Sequence, residues 1–281
     1  MKKCVPFLKR TFCLLTHPVL LAFVHGACLT ALFVLLYQAN YEDGLYQQII
    51  DKVTTPEMSR QDRALKFVNV THQLLNPRRD FFTDQKYFSF HDQHIRSGDA
   101  QLIDAKGDCG SYSHVLARML DEDGFPVRMA QMQGEGRTVH IFVETEIDGR
   151  WIVMDSLFDL VFRNPDQSLA TFQEVSSNWQ SYSNQVPDYY DHILKFEGVR
   201  YTNWKKIPVV MPLAKTVLGI FMGERVEWLS LRSYMLNLYR TLAVLLGVFY
   251  AGVLLITIAA LKLRPRFLEE IAPGSPEPSK A

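Results

Sequence analysis

The stretch that decides the fold reads GDCGSYSHVLARMLDEDGFPVR from Gly107 to Arg128 and resumes, after a short polar interval, as VHIFVETEIDGRWIVMDSLF from Val139 to Phe158. In its first part Val115, Leu116, Met119 and Leu120 recur on one face at helical spacing. Gly124 is placed to end that helix and Pro126 to stop it continuing, so Cys109 opens a helix. VRMAQMQ from Val127 alternates loosely and VHIFVETEI from Val139 alternates clearly, and both predict strands. Asp148 and Gly149 form a tight hairpin turn into RWIVMDSLF. With the turn centred there, facing residues have numbers summing to about 297. His140 is then close to opposite Leu157 and within a residue or two of Asp155. A bulge or a diagonal pairing would put His140 and Asp155 on one face.

This order of residue types permits a specific chemistry. The unpaired amides and positive dipole end of a helix N-terminus favour a thiolate, and the same amides can stabilise an oxyanion during acyl transfer. A histidine alongside can pair with the thiolate and later protonate a leaving amine, while a carboxylate fixes the imidazole tautomer. Cys109 as nucleophile, His140 as base and Asp155 as the orienting carboxylate are the candidate catalytic residues. A single cysteine is more commonly a small buried hydrophobe, but the Gly-Asp before Cys109 and the Gly-Ser-Tyr after it do not read as core. His140 alone would read as a core or surface histidine of the strand, and Asp155 alone as a strand end. His114 is a poor rival base, because five residues of helix turn it about 140° away from Cys109. Asp108 reads as the helix cap. Arg128 and Trp151 read as support for the core.

Outward from this segment, the ends of the chain pose a membrane question. Pro18 to Tyr37, PVLLAFVHGACLTALFVLLY, and Leu242 to Leu261, LAVLLGVFYAGVLLITIAAL, carry no charge. Each reaches about 30 Å as a helix, the thickness of the hydrocarbon layer. The domains expected are a cytoplasmic N-terminus (1–17), a first transmembrane helix (18–37), an exported domain (40–208), a juxtamembrane amphipathic segment (209–240), a second transmembrane helix (241–262) and a disordered cytoplasmic tail (263–281). Lys2, Lys3, Lys9 and Arg10 precede the first span, whereas Glu42 and Asp43 are the first charges after it. Lys262, Arg264 and Arg266 follow the second, against which Arg232 and Arg240 weigh somewhat. Both termini are expected in the cytoplasm. No convincing cleavage site surrounds Tyr37 to Ala39, and His25 stands where a lipoprotein acceptor at Cys28 would need an aliphatic residue. Cys4, Cys13 and Cys28 fall on the cytoplasmic side or in the membrane, leaving Cys109 as the one exported cysteine and without a disulfide partner.

Taken together, Gly107-x-Cys109, the helix after it, Gly124, Pro126 and Arg128, Val139-His140, Gly149-x-Trp151 and Asp155 resemble the transglutaminase-like superfamily over about residues 100 to 160. The resemblance implies an α+β, papain-like core, with a nucleophile helix packed on an antiparallel sheet that carries histidine and aspartate. Gly110 and Ser111 stand where that family often has an aromatic, and Ser156-Leu157 replaces its usual proline and small polar residue. By resemblance to bacterial membrane-anchored members, the chain is expected to be a peptidase or amidase acting in the periplasm from the inner membrane. A protein-crosslinking acyltransferase would use the same triad, and a catalytically idle scaffolding subunit of an envelope-polymer assembly is the alternative of another class.

The remaining stretches set the limits. With 30 basic and 30 acidic residues the net charge is zero, which gives no basic face for a nucleic-acid partner. The expected partners are a protein or peptide substrate in the cell envelope and the lipid bilayer. His91 and His94 have a metal-like spacing, but no further ligands complete a site, so neither metal nor cofactor is expected. Residues 40 to 79 read as helical, divided by breaks at Pro56 and Pro77. Asp80 to His94 reads as loop with short strand pieces. The aromatics between Leu157 and Pro208, among them Trp179, Tyr182, Tyr189, Tyr190, Tyr201 and Trp204, suit either a wall of the substrate cleft or a membrane-proximal surface.

Overall fold

The computed structural model describes residues 17–82, 96–104, 108–133, 139–190, 194 and 196–269. The chain divides into two compact units. One holds the segments before Ala39 and after Leu238, and contributes the apolar parts of two helices. The first of these helices, α1, is Pro18–Val53, and a stretch of the last helix, Leu238–Lys262, is the second that is long and apolar enough to cross a membrane. Phe23, Phe33, Val248 and Leu255 are exposed along them, the pattern of side chains suited to a hydrocarbon solvent.

The other unit, Ala39–Leu238, is a mixed helical and antiparallel domain. After α1 come α2 (Arg60–Phe82), α3 (Gly98–Asp104), α4 (Cys109–Glu122), β1 (Val127–Gln133), β2 (Val139–Ile147) and β3 (Arg150–Met154). Two short helices, α5 (Phe172–Ser177) and α6 (Trp179–Tyr182), then precede β4 (Gly198–Arg200), α7 (Val210–Met222) and α8 (Leu238–Glu269). The sheet order is β3-β2-β1-β4, antiparallel throughout. Asp148 and Gly149 both have positive φ, 51° and 75°, as a two-residue type I′ turn requires. The resulting register pairs Val143 with Met154 and Ile147 with Arg150, as the sum of about 297 anticipates.

Two apolar cores lie on the two faces of this sheet. Alternation sends Met129, Val143, Ile152 and Met154 to one face, where they meet Tyr112, Val115, Leu116, Met119 and Leu120 of α4, with Phe67, Val68 and Leu75 of α2 and Tyr46 and Ile50 of α1 behind them. Each such side chain contributes about 1.5–3 kcal/mol on burial. Ala130, Met132, Phe142 and Val153 face the other way, into Phe162, Val175, Tyr182, Tyr190 and Phe196, with Trp179 packed at the margin. The aromatic stretch after Leu157 is therefore largely a second core, although Tyr189 remains 64% exposed and Tyr201 also lines a cavity. The antiparallel sheet has two apolar faces, α4 covers only one, and these rings are what remains to cover the other.

Helix α4 ends in a Schellman motif: the N–H of Phe125 donates to the carbonyl of Leu120 and that of Gly124 to Asp121, with Gly124 at φ 79°. Its middle is fixed by Arg118, which is buried and reaches Asp43, Glu122 at 2.7 Å and Glu42 at 3.7 Å. Glu42 and Asp43 are thus structural partners of α4, because α1 continues through them to Val53. Pro77 does not break α2 but lies inside it. The turn around it is braced by Arg78, which donates to the carbonyls of Leu74 and Leu102, offsetting the backbone hydrogen bond that proline cannot make. Asp80 to Phe82 are the end of that helix, whereas the rest of the stretch expected as loop and strand pieces lies outside the described residues.

Candidate functional site

The first turn of α4 sits beside the start of β2. Ser113 donates to the carbonyl of Ile141 at 2.8 Å, and a Cβ at Gly110 would meet Ile141 Cδ1 at 3.8 Å. Cys109, the first residue of the helix, is half-buried. Asp108 occupies the N-cap position, but its side chain makes no capping bond. Its carboxylate instead accepts from Arg79 Nε at 3.0 Å. The backbone of Asp108 has φ 41° and ψ −123°, outside the extended range in which a side-chain cap reaches its own helix amides, so the expected cap is corrected to an ion pair.

His140 is 3% exposed and Asp155 is 1% exposed. The imidazole Nε2 donates to Asp155 Oδ2 at 2.5 Å, a close pairing of a ring N–H with a carboxylate. The β2–β3 register carried one step beyond Met154 sets Asp155 opposite Phe142, so His140 lies two residues along on the same face. This is the diagonal arrangement. Asp155 is held by its own tight turn, exchanging both backbone hydrogen bonds with Leu160 at 2.9 Å, while Asp155 Oδ1 accepts the N–H of Leu157. Phe158, delivered by that turn, lies against the imidazole with ring centroids 5.6 Å apart. Cys109 lies near the His140 ring and favours its protonated form. With Nε2 engaged by Asp155, Nδ1 is the nitrogen left for the sulfur. Burial alone would push the imidazole down, but the Asp155 carboxylate and its hydrogen bond, helped by Cys109, outweigh it and raise the ring to about 10. An imidazolium is therefore the favoured state at neutral pH.

Residues 47–156 match the family model of the transglutaminase-like superfamily. Over that segment the chain is similar to the transglutaminase-like superfamily. Neither the comparison with curated proteins nor that with solved structures returns a match. The matched segment ends one residue after Asp155. The second core, β4, α7 and the segment leading to α8 lie largely beyond it.

The three candidate residues named from sequence are thus gathered in one place, with the imidazole bonded to the carboxylate and Cys109 near the ring. His114 is 8% exposed, and burial lowers its ring to about 4 in spite of a hydrogen bond with the Leu236 backbone, so it is a neutral core histidine. His91 and His94 lie outside the described residues. Among the described residues no group of three or more metal-ligating side chains is assembled. Sequence reasoning missed Phe158, whose contact needs the 155–160 turn, and His72, whose Nδ1 lies 3.2 Å and 3.1 Å from the carbonyls of Ser156 and Leu157 and anchors that turn to α2. It also missed Glu144, which is 1% exposed and accepts from Arg128 Nε at 2.6 Å. Burial raises the Glu144 carboxyl against the pull of Arg128. The Arg128 guanidinium lies 4.1 Å from the centroid of Trp151 and 4.5 Å from that of Tyr201. These residues line a cavity of about 650 Å³, which lies further along β2, away from His140. The pairing of Arg128 with Glu144 was legible from strand alternation only once their register was known.

Proposed function

We propose that the domain is a cysteine hydrolase acting on amide or peptide bonds, with Cys109 as nucleophile, His140 as acid and base, and Asp155 as the carboxylate that orients the imidazole. The observation that carries this reading is the buried His140–Asp155 pair beside the helix start that bears Cys109. The sulfur attacks the carbonyl carbon, and the electron pair of the carbonyl moves to oxygen beside the N-terminal amides of α4. As the C–N bond breaks, the imidazolium gives its proton to the leaving amine. Water then attacks the thioester, its proton passing to His140, and the acid is released with the thiolate restored. The buried Asp155 favours the charged imidazole throughout, and the apolar flank supplied by Phe158 keeps the ring from turning.

The two apolar helices and the transglutaminase-like match support a membrane-anchored enzyme of the bacterial inner membrane. In this reading the domain faces the periplasm, both termini are cytoplasmic and the substrate is an envelope protein or peptide. Helix α7 would then lie along the bilayer surface. Val210, Leu213, Val217, Ile220 and Phe221 are all exposed on it, a surface suited to the headgroup boundary. The test compares new protein termini in the envelope of cells carrying the native chain with those of cells carrying Cys109→Ala. Fragments that vanish in the variant support hydrolysis, and identical fragment sets count against it.

A further inference from the structure

The edge of β1 that faces away from β2 carries two arginines with no part in the site so far described. At Gln131, Met132 and Gln133 this edge is paired with β4, setting Arg200 opposite Gln131, and Arg200 Nε donates to Gln131 Oε1 at 2.8 Å. Two residues further along the same edge β4 has ended, and another segment takes its place. Ser230 Oγ donates to the carbonyl of Met129 at 2.8 Å, and the N–H of Met129 donates to Ser233 Oγ at 3.2 Å. Arg232 lies between those two serines. Arg200 and Arg232 are thereby neighbours on consecutive pieces of one sheet edge.

That edge leads to the nucleophile. Gln131 pairs with Ile141, the residue against which the first turn of α4 rests. Part of Arg232 is open to solvent and part is packed against the protein, and its guanidinium lies within electrostatic range of Cys109 and Arg200. Burial and the Arg200 cation weaken its hold on its proton, whereas Cys109 strengthens it. Among the described residues neither arginine has a carboxylate partner. Two guanidinium groups held together without a counter-charge repel each other, a cost that an anionic ligand would remove. Both lie outside the matched residues 47–156.

We propose that Arg200 and Arg232 form a carboxylate-binding wall of the Cys109 site, so that the acyl substrate carries a carboxylate close to the bond attacked. The proposal rests on the reading of Cys109 as nucleophile and adds a substrate class to it. The carboxylate can be an acidic side chain or a free C-terminus. A guanidinium fork accepts either in the same bidentate geometry.

The test uses the full chain in a neutral detergent and two alkylating probes of nearly equal size, iodoacetate and iodoacetamide. Each forms a sulfur–carbon bond at Cys109 with loss of iodide, and the Cys109-containing peptide is quantified by mass spectrometry. The ratio of the two rates should fall about tenfold in Arg232→Gln, the effect expected for losing one nearby charge, and less in Arg232→Lys. Arg200→Gln should lower it in the same direction. A ratio unchanged in both glutamine variants overturns the proposal. The source of the carboxylate is resolved by protecting Cys109 from iodoacetamide with N-acetyl-Gly-Gly, which has a free C-terminus, or with N-acetylglutamate α-amide, which has only the side-chain acid. Protection by the neutral N-acetylglutamine amide as strong as by the acids, or by neither acid, counts against a carboxylate wall. Should His140→Ala leave the iodoacetamide rate untouched, the nucleophile reading fails instead, and the charge ratio still judges the two arginines.

Discussion

Replacing Asp155 by Asn keeps the shape of the residue that His140 touches and removes its charge. In the native protein the pair is sealed from solvent, with His140 3% and Asp155 1% exposed, and the imidazole is raised to about 10. At pH 7 that is three units above ambient, so giving up the imidazolium costs about 4 kcal/mol at roughly 1.4 kcal/mol per unit. The figure agrees with the loss of about 3–5 kcal/mol when one partner of a buried ion pair is removed. With asparagine in place, burial becomes the leading influence and the ring turns neutral. The folded value in the native chain lies above the unfolded value of about 6.5, so the stabilisation is complete below pH 6.5 and is lost as pH rises towards 10. The deficit of Asp155→Asn should therefore be about 4 kcal/mol at pH 7 and about 1 kcal/mol at pH 9. Denaturant unfolding in detergent, followed by tryptophan fluorescence, measures it at both values. Alkylation of Cys109 at pH 6.5 should slow by at least tenfold in the same variant, because the charged imidazole beside the sulfur is lost. A deficit below about 1 kcal/mol at pH 7, or one that widens towards pH 9, would refute the charged pair.

Three further outcomes follow from the same structure. Arg118→Met should destabilise the domain by about 3–5 kcal/mol, since Glu42 would be left with no exposure and no counter-charge; adding Glu42→Gln should restore part of the loss in a double-mutant cycle of melting temperatures. Because burial raises Glu42 to about 7 despite Arg118, its charged form weighs against folding as pH rises from about 4.5 to 7, so the Arg118→Met deficit should be smaller at pH 5 than at pH 8. Phe162→Ala should cost about 3–5 kcal/mol, as Phe162 is fully buried and edge-on to Trp179, Tyr182 and Phe196, and a melting curve little changed would mean that the second core is not a stabilising unit. A periplasmic reporter fused after residue 205 is expected to be active and one fused after residue 270 inactive, and the opposite pattern would reverse the orientation.

Much of the site was legible because its elements are local. The spacing of Val115, Leu116, Met119 and Leu120 fixes α4, Gly124 fixes its end, and Asp148-Gly149 fixes the hairpin register that aligns His140 with Asp155. Periodicity and turn chemistry act over a few residues, so they can be read along the chain. The two uncharged apolar runs were equally plain. By contrast, Pro77 remains inside α2 because Arg78 reaches the carbonyl of Leu102, twenty-four residues away, and no local rule contains that bond.

The sequence by itself determined that Cys109 begins a helix, that His140 and Asp155 lie on paired strands, and that two segments suit a bilayer. Only the tertiary structure decided that the aromatics from Phe158 to Phe196 cover the second face of the sheet, that Glu42 and Asp43 belong to Arg118, and that Arg200 and Arg232 share one strand edge near the thiol. The physical reason is range. Helix and hairpin preferences are set by neighbouring residues, whereas burial, ion pairing and the meeting of distant edges depend on which surfaces the folded chain leaves uncovered.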